Sequence, residues 1–203
     1  MATDSTYPVS VEGELDPAVG RWLWLVKWLL VIPHLVVLLF LWVAFVVLTT
    51  VALFAILFTG RYPRGIFDFN VGVLRWTWRV GYYSYSALAT DRYPPFSLSS
   101  REYPANLEVE YPERLSRGLV LIKWWLLAIP HYLVVSLLQG GGNERGVGLI
   151  TLLALFGAVR LLFNGRYPRD IFELVLGFNR WTFRVAAYAV LMTDEYPPFR
   201  MRA

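Results

Sequence analysis

Two long apolar blocks, residues 18–60 and 117–165, set the pattern of this chain. In the first, residues 35–59 carry no charge, and Thr49, Thr50 and Thr59 are the only polar side chains there. A helix of about 40 residues would be ~60 Å long, twice the ~30 Å hydrocarbon core of a bilayer, so each block folds back as a hairpin or kinks. The second block is interrupted at residues 139–146 by Gln-Gly-Gly-Gly-Asn-Glu-Arg-Gly, a polar turn. The two parts that remain, 117–138 and 147–164, are each close to one span. A matching turn in the first block is expected near residues 41–44, although no turn residue stands there. The rival reading breaks the blocks at Pro33 and Pro130, where the ring removes a backbone hydrogen bond.

After each block an Arg-Tyr-Pro-Arg turn leads into a third helix, predicted over 66–89 and 171–192, with Pro63 and Pro168 at its start. In the first of these helices Ile66, Phe69, Val73, Trp76, Val80 and Tyr83 fall three or four apart and form one apolar stripe. Asp68, Gly72, Arg75 and Arg79 share another face, matched in the second helix by Glu173, Gly177, Arg180 and Arg184. This is the pattern of an amphipathic helix lying in a membrane interface, with Trp76 and Trp181 as anchors. Ahead of each block, residues 7–15 and 103–111 alternate with period two and read as half-exposed strands. Each copy ends in Tyr-Pro-Pro-Phe. Proline cannot donate to a ladder, so these segments are expected as edge or terminal strands of a small sheet outside the membrane.

The elements come in two copies. Gly60-Arg61-Tyr62-Pro63-Arg64 returns as Gly165-Arg166-Tyr167-Pro168-Arg169, and Arg75-Trp76-Thr77-Trp78-Arg79-Val80 as Arg180-Trp181-Thr182-Phe183-Arg184-Val185. Asp91-Arg92-Tyr93-Pro94-Pro95-Phe96 returns as Asp194-Glu195-Tyr196-Pro197-Pro198-Phe199. A fixed-period self-match sets the architecture and divides the chain into repeats 1–102 and 103–203.

Composition sharpens this. The chain is 57% hydrophobic, with a mean hydropathy of +0.47 and 17% charged residues, against roughly 25% charged in a soluble domain. That points to an integral membrane protein. The polar, acidic residues 1–17 lack the basic region of a secretory signal, so the first apolar segment is expected to stay in the mature protein. There is no cysteine, which excludes disulfides and thiolate chemistry. The net charge is +4. Under the hairpin reading Arg61, Arg64, Arg75, Arg79, Arg166, Arg169, Arg180 and Arg184 lie on one side, and only Glu144 and Arg145 on the other. The positive-inside bias then places both termini and the sheet in the cytoplasm, beneath the cell's inner (plasma) membrane. An even number of spans per copy makes the repeats parallel, about a pseudo-twofold axis along the membrane normal.

Few residues carry candidate chemistry. Lys27 and Lys123 sit at matching positions in the apolar blocks, where they snorkel to the interface or touch lipid phosphate. His34 and His131, each after Ile-Pro, form a candidate polar pair; two imidazoles without a carboxylate or thiolate make a poor metal site, so no metal and no cofactor is expected. The repeated Arg-x-x-x-Arg face has two readings. Arg75 and Arg79 pair with Asp68 or with the sheet carboxylates Glu12, Glu14, Glu108 and Glu110, or else cradle an anionic head group. The lipid-contact set is Arg61, Arg64, Arg75, Arg79, Arg166, Arg169, Arg180 and Arg184. No nucleotide loop, triad or paired carboxylate is present.

Lys-Trp-x-Leu-x-Ile-Pro-His, Gly-Arg-Tyr-Pro-Arg, Arg-Trp-x-x-Arg-Val and Thr-Asp-x-Tyr-Pro-Pro-Phe together resemble the bacterial membrane family called domain of unknown function 4389, here in tandem. The resemblance implies multi-pass membrane residence and brings no established activity. The expectation is therefore a mainly α integral membrane protein of two parallel repeats. Each repeat is a short strand, a transmembrane hairpin and an amphipathic interfacial helix, with a small cytoplasmic β-sheet. The expected role is a non-catalytic scaffold or accessory subunit that binds anionic lipid and a membrane-protein partner or a second copy, and no nucleic acid. The alternative is a small oligomeric transporter or channel.

Overall fold

The computed structural model describes residues 7–141 and 147–201; Glu144 and Arg145 of the predicted loop lie outside the described residues. Strand β1 (Val9–Gly13) pairs antiparallel with β2 (Ala105–Val109), with Val11 opposite Leu107 at the centre. The period-two pattern explains the result: Val9, Val11, Ala105 and Leu107 are buried on one face while Ser10, Glu12 and Glu108 face out. The predicted Tyr-Pro-Pro-Phe strands do not form. Residues 93–98 and 196–201 are irregular tails, because their consecutive prolines leave no donors for a ladder.

The first apolar block forms a short helix α1 (Lys27–Leu30) and then one unbroken helix, α2 (Ile32–Thr59), with Pro33 in its first turn. The expected turn at 41–44 is absent, and the break falls beside the proline, as the rival reading has it. At 28 residues the helix is about 42 Å long. It ends on Gly60, whose left-handed φ of 70° lets its amide cap the Ile56 carbonyl at 2.7 Å. Helix α3 (Arg64–Tyr83) follows. In the second copy α4 (Leu119–Ile122), a π-helical turn (Lys123–Leu127) and α5 (Ile129–Gln139) lead to α6 (Leu149–Asn164) and α7 (Arg169–Ala189).

Helices α5 and α6 are α2 split in two. His34 and His131 are 97 apart, whereas Gly60 and Gly165 are 105 apart, so eight extra residues lie between them. With those set aside, exposed Leu133 and Leu137 correspond to Val36 and Phe40. Leu152, Phe156, Val159 and Phe163 likewise correspond to Val47, Val51, Phe54 and Phe58, and all are exposed. The polar turn read from the second copy is thus an insertion into one helix, not the tip of a hairpin that both copies share.

The halves exchange their strands. Arg75 of α3 donates to the Leu107 carbonyl at 2.8 Å, and Arg180 of α7 donates to the Val11 carbonyl at 3.0 Å. Trp78 lies against its counterpart Phe183, ring centroids 5.6 Å apart, so a pseudo-twofold axis passes between them and through the sheet. Helix α3 runs along β2: Phe67 packs on Tyr111, Arg75 meets Leu107, and Tyr82 donates to Glu14, whose amide bonds Pro104. On its opposite side Asn70 donates to Thr49, Thr77 receives the Trp42 indole, and Val80 clusters with Leu38. At 100° per residue these two sets lie on opposite faces of the helix. The molecule is therefore three layers across the axis: the sheet, then α3 and α7, then α2 with α5 and α6.

This corrects the amphipathic assignment. Helix α3 is covered on both faces, with Trp76 and Arg79 buried; beyond the exposed Asp68, its polar face meets the sheet and a tail. The outermost layer is the exposed one. Among the described residues only α2 is by itself long and apolar enough to cross a membrane, and α4 through α5, bent by 46°, counts as a second if taken as one span.

Residues 1–102 and 103–203, co-expressed as separate chains and extracted in mild detergent, are expected to co-purify on a tag carried by one of them. A first half that begins at residue 14 loses most of that association. Halves that purify apart contradict the strand exchange.

Candidate functional site

The repeated motifs converge on one arrangement, built twice. The Lys27 ammonium is fully buried and donates to the Thr90 carbonyl at 2.7 Å, with the Asp91 carboxylate 2.9 Å away and the Tyr83 ring 4.7 Å below. Lys123 does the same with the Thr193 carbonyl at 3.0 Å, Asp194 at 2.7 Å and Tyr188 at 5.6 Å. The second oxygen of each aspartate takes a backbone amide at the head of its repeat, Gly20 or Ser116. The lysines expected to snorkel are therefore internal. A charge in apolar surroundings needs a counter-ion and further hydrogen bonds, and the Thr-Asp pair supplies both. The chain accepts strain to present that pair: Leu88 and Leu191, three residues before each aspartate, take left-handed φ values of 54° and 71°.

Seven residues on from Lys27, and eight from Lys123, stands the histidine. The Trp76 indole donates to His34 Nδ1 at 3.1 Å, Phe96 stacks on the imidazole at 4.0 Å, and Tyr93 leans on it at 4.8 Å. His131 receives Trp181 at 3.2 Å, with Phe199 and Tyr196 at 4.4 and 4.8 Å. Each imidazole sits in a cage made by its own tail, so the two do not form the expected pair. The accepted indole hydrogen marks Nδ1 as unprotonated. Trp76 is buried and Trp181 half-buried, both committed to histidine; neither anchors at an interface. The exposed indoles are Trp22, Trp28, Trp124 and Trp125.

The inner arginines hold backbone. Arg79, fully buried, donates to the Ser97 and Ser99 carbonyls at 3.3 and 3.0 Å, and Arg184 to Arg200 at 3.2 Å. Arg75 adds the Leu98 carbonyl at 2.9 Å to its strand contact. These are carbonyls, not the carboxylates of Glu12, Glu14, Glu108 or Glu110. A tail rich in proline leaves its carbonyls without ladder partners, and a guanidinium with five donors satisfies several at once. Burial lowers the Arg79 and Arg184 pKa values and raises those of Tyr7, Tyr82 and Tyr103, which keeps these phenols neutral donors. An anion could reach Arg79 only by displacing the tail. Of the lipid-contact set Arg61, Arg64, Arg166 and Arg169 are exposed. Arg64 pairs with Asp68 at 3.3 Å and covers the Tyr111 ring.

Asp91, Asp194, Tyr93, Phe96, Tyr196 and Phe199 were not singled out as site residues from the sequence. The signal was there, since each recurs at a fixed place in the same motif, but their partners lie 60 or more positions away. Among the described residues no cluster of three metal-ligating side chains occurs.

The family described as domain of unknown function (DUF4389) matches twice, at residues 21–97 and 119–200, and the chain belongs to that family. The two matched segments run from the start of each apolar block through its tail, so each contains one lysine–aspartate pair and one histidine cage. No curated protein and no solved structure matches the chain.

Replacing Asp91 by asparagine leaves Lys27 charged and buried without a counter-ion. The carboxylate is 24% exposed, so the loss is set at about 3 kcal/mol, the low end for a broken buried pair. Thermal unfolding in detergent should show a Tm lower by about 6–12 °C. Adding Lys27→Met should recover most of that loss, and a double variant no more stable than Asp91→Asn contradicts the pairing.

Proposed function

We propose that this protein is a membrane-embedded, non-catalytic scaffold that seats its outermost helix layer in lipid and presents the sheet layer to water as a docking platform. One observation carries the reading: α2, uncharged for 28 residues, has only 17% of its most apolar window buried. A core helix of a soluble domain hides such a surface. Here Val36, Phe40, Val43, Val47, Val51, Phe54 and Phe58 form one continuous exposed stripe, with Phe40 at 69% and Phe58 at 72%. The second copy repeats it. About a dozen side chains, each roughly half exposed, represent on the order of 10 kcal/mol of transfer free energy, enough for stable anchoring without a covalent lipid.

The layering favours helices lying along the bilayer over helices crossing it. Helix α2 runs alongside α3, which runs alongside β2; with the sheet facing water, α2 lies in the membrane plane. The exposed tryptophans Trp22, Trp28, Trp124 and Trp125 suit the border of such a layer. The exposed Arg61, Arg64, Arg166 and Arg169 suit the anionic cytoplasmic leaflet, which turns the sheet side to the cytoplasm. The buried cations Lys27, Lys123, Arg79 and Arg184 all bond carbonyls in or leading into the tails, which favours a scaffold over a catalyst. A transporter would draw on the cavity of about 530 Å³ between α2, α3 and α7. No charged residue lines that cavity, and ion pathways through membranes expose such groups.

Flotation with neutral phosphatidylcholine vesicles tests the seating. The chain is expected to rise with the vesicles and to remain on them after a high-pH wash. Phe40→Glu with Val47→Glu should release at least half of it. A wild-type chain left at the bottom of the gradient contradicts the reading.

A further inference from the structure

Where α2 ends, three guanidinium groups from both repeats surround one pocket. It is lined by Thr59, Gly60, Arg61, Arg114, Leu115 and Arg117, with a volume of about 480 Å³. The Leu115 amide donates to the Gly60 carbonyl at 2.9 Å and fixes the second repeat against the helix end. Arg117 reaches across Gly60, its Nε 3.6 Å from where a Cβ would stand. The three arginines are exposed, and none is in an ion pair among the described residues, where the only pairs join Lys27 to Asp91, Arg64 to Asp68 and Lys123 to Asp194. The C-terminal end of α2 offsets about half a unit of positive charge, which leaves the pocket more than twofold positive. Phe58, two residues back, is among the most exposed apolar side chains of the outer layer, so the pocket stands at the border of that layer.

We propose that this pocket binds one phosphate group, that of an anionic lipid head group, and that it is the single such site among the described residues. The proposal rests on the lipid seating argued above and adds a ligand to it. Arginine matches phosphate oxygens bidentately, and the pocket lies within reach of a head group whose acyl chains lie along α2.

The second repeat explains why the site is single. Its equivalent pocket, about 350 Å³, is lined by Arg166 and Arg169 near Gly165, where Arg21 takes the place of Arg117. Ala18 replaces Arg114, and Asp16 replaces Pro112 and lines the pocket. Arg169 makes up the guanidinium count there, but the Asp16 carboxylate is gained. The two ends of a duplicated unit thus differ by one negative charge at the point where an anion would bind.

The test uses the intact chain in nanodiscs of phosphatidylcholine doped with phosphatidylglycerol, counting retained phosphatidylglycerol per chain by native mass spectrometry after transfer to detergent. Wild type is expected to keep one. At about 1 kcal/mol per arginine, Arg114→Gln should weaken retention about fivefold and Arg114→Gln with Arg117→Gln about 25-fold. Arg21→Gln with Arg166→Gln should change it less than twofold. Equal losses from the two double variants would mean a diffuse surface charge and overturn the site. Undiminished retention in the Arg114/Arg117 variant would overturn it as well. Inorganic phosphate provides a second arm: if it displaces phosphatidylglycerol at micromolar concentration, the occupant is free phosphate and the lipid assignment falls. Failure of the seating itself is read separately, as chains that do not enter phosphatidylcholine nanodiscs whatever their arginines.

Discussion

The carbonyl oxygens of Val11 and Leu107 stand opposite each other at the centre of the sheet, and each takes a hydrogen bond from an arginine beneath it. Everything else in the architecture follows from that pair of contacts. A two-stranded ribbon alone is marginal; clamped to α3 and α7 it becomes the lid of a layered body. Each arginine grips the strand of the other repeat, so neither half keeps its own cover. Once α3 is covered from above by the sheet and from below by α2, the only large surface left to the apolar blocks is the outermost face.

Much of this was legible in the residues. Tyr7-Pro8 and Tyr103-Pro104 announced matched strands, Pro63 and Pro168 announced matched helix starts, and the two copies of Arg-Trp placed α3 and α7. The length of α2 was not legible, because the one turn signal, in the glycine-rich stretch, belongs to an insertion in the second copy alone. The polar stripe of α3 was real but met protein instead of water, since helical periodicity gives the faces and not what covers them. Lys27 and Lys123 were placed at an interface because their counter-ions lie 60 and more residues downstream, beyond any local pattern.

The tails show why the motifs are so specific. Tyr-Pro-Pro-Phe cannot join a sheet, so it needs another way to hold its place. Asp91 anchors its near end on Lys27, Tyr93 and Phe96 close on His34, and Arg79 gathers the carbonyls beyond. Side chains from one repeat's own helices do all of this, and the second repeat does it again. A mutation in any one member leaves buried polar groups exposed to an apolar interior, which ties distant positions of the chain to each other.

The proposed seating, helices lying along the bilayer with one face in lipid, is most directly tested by depth. Single cysteines at Phe40, Val47 and Phe54, in a chain that has no cysteine of its own, can carry nitroxide spin labels read against oxygen and a water-soluble nickel chelate in bilayers. Helices lying flat predict the same depth at all three positions within a few ångströms. A helix that crosses the membrane predicts depths that change along its length, over about 21 Å of rise between the outer two, and that profile would contradict the account.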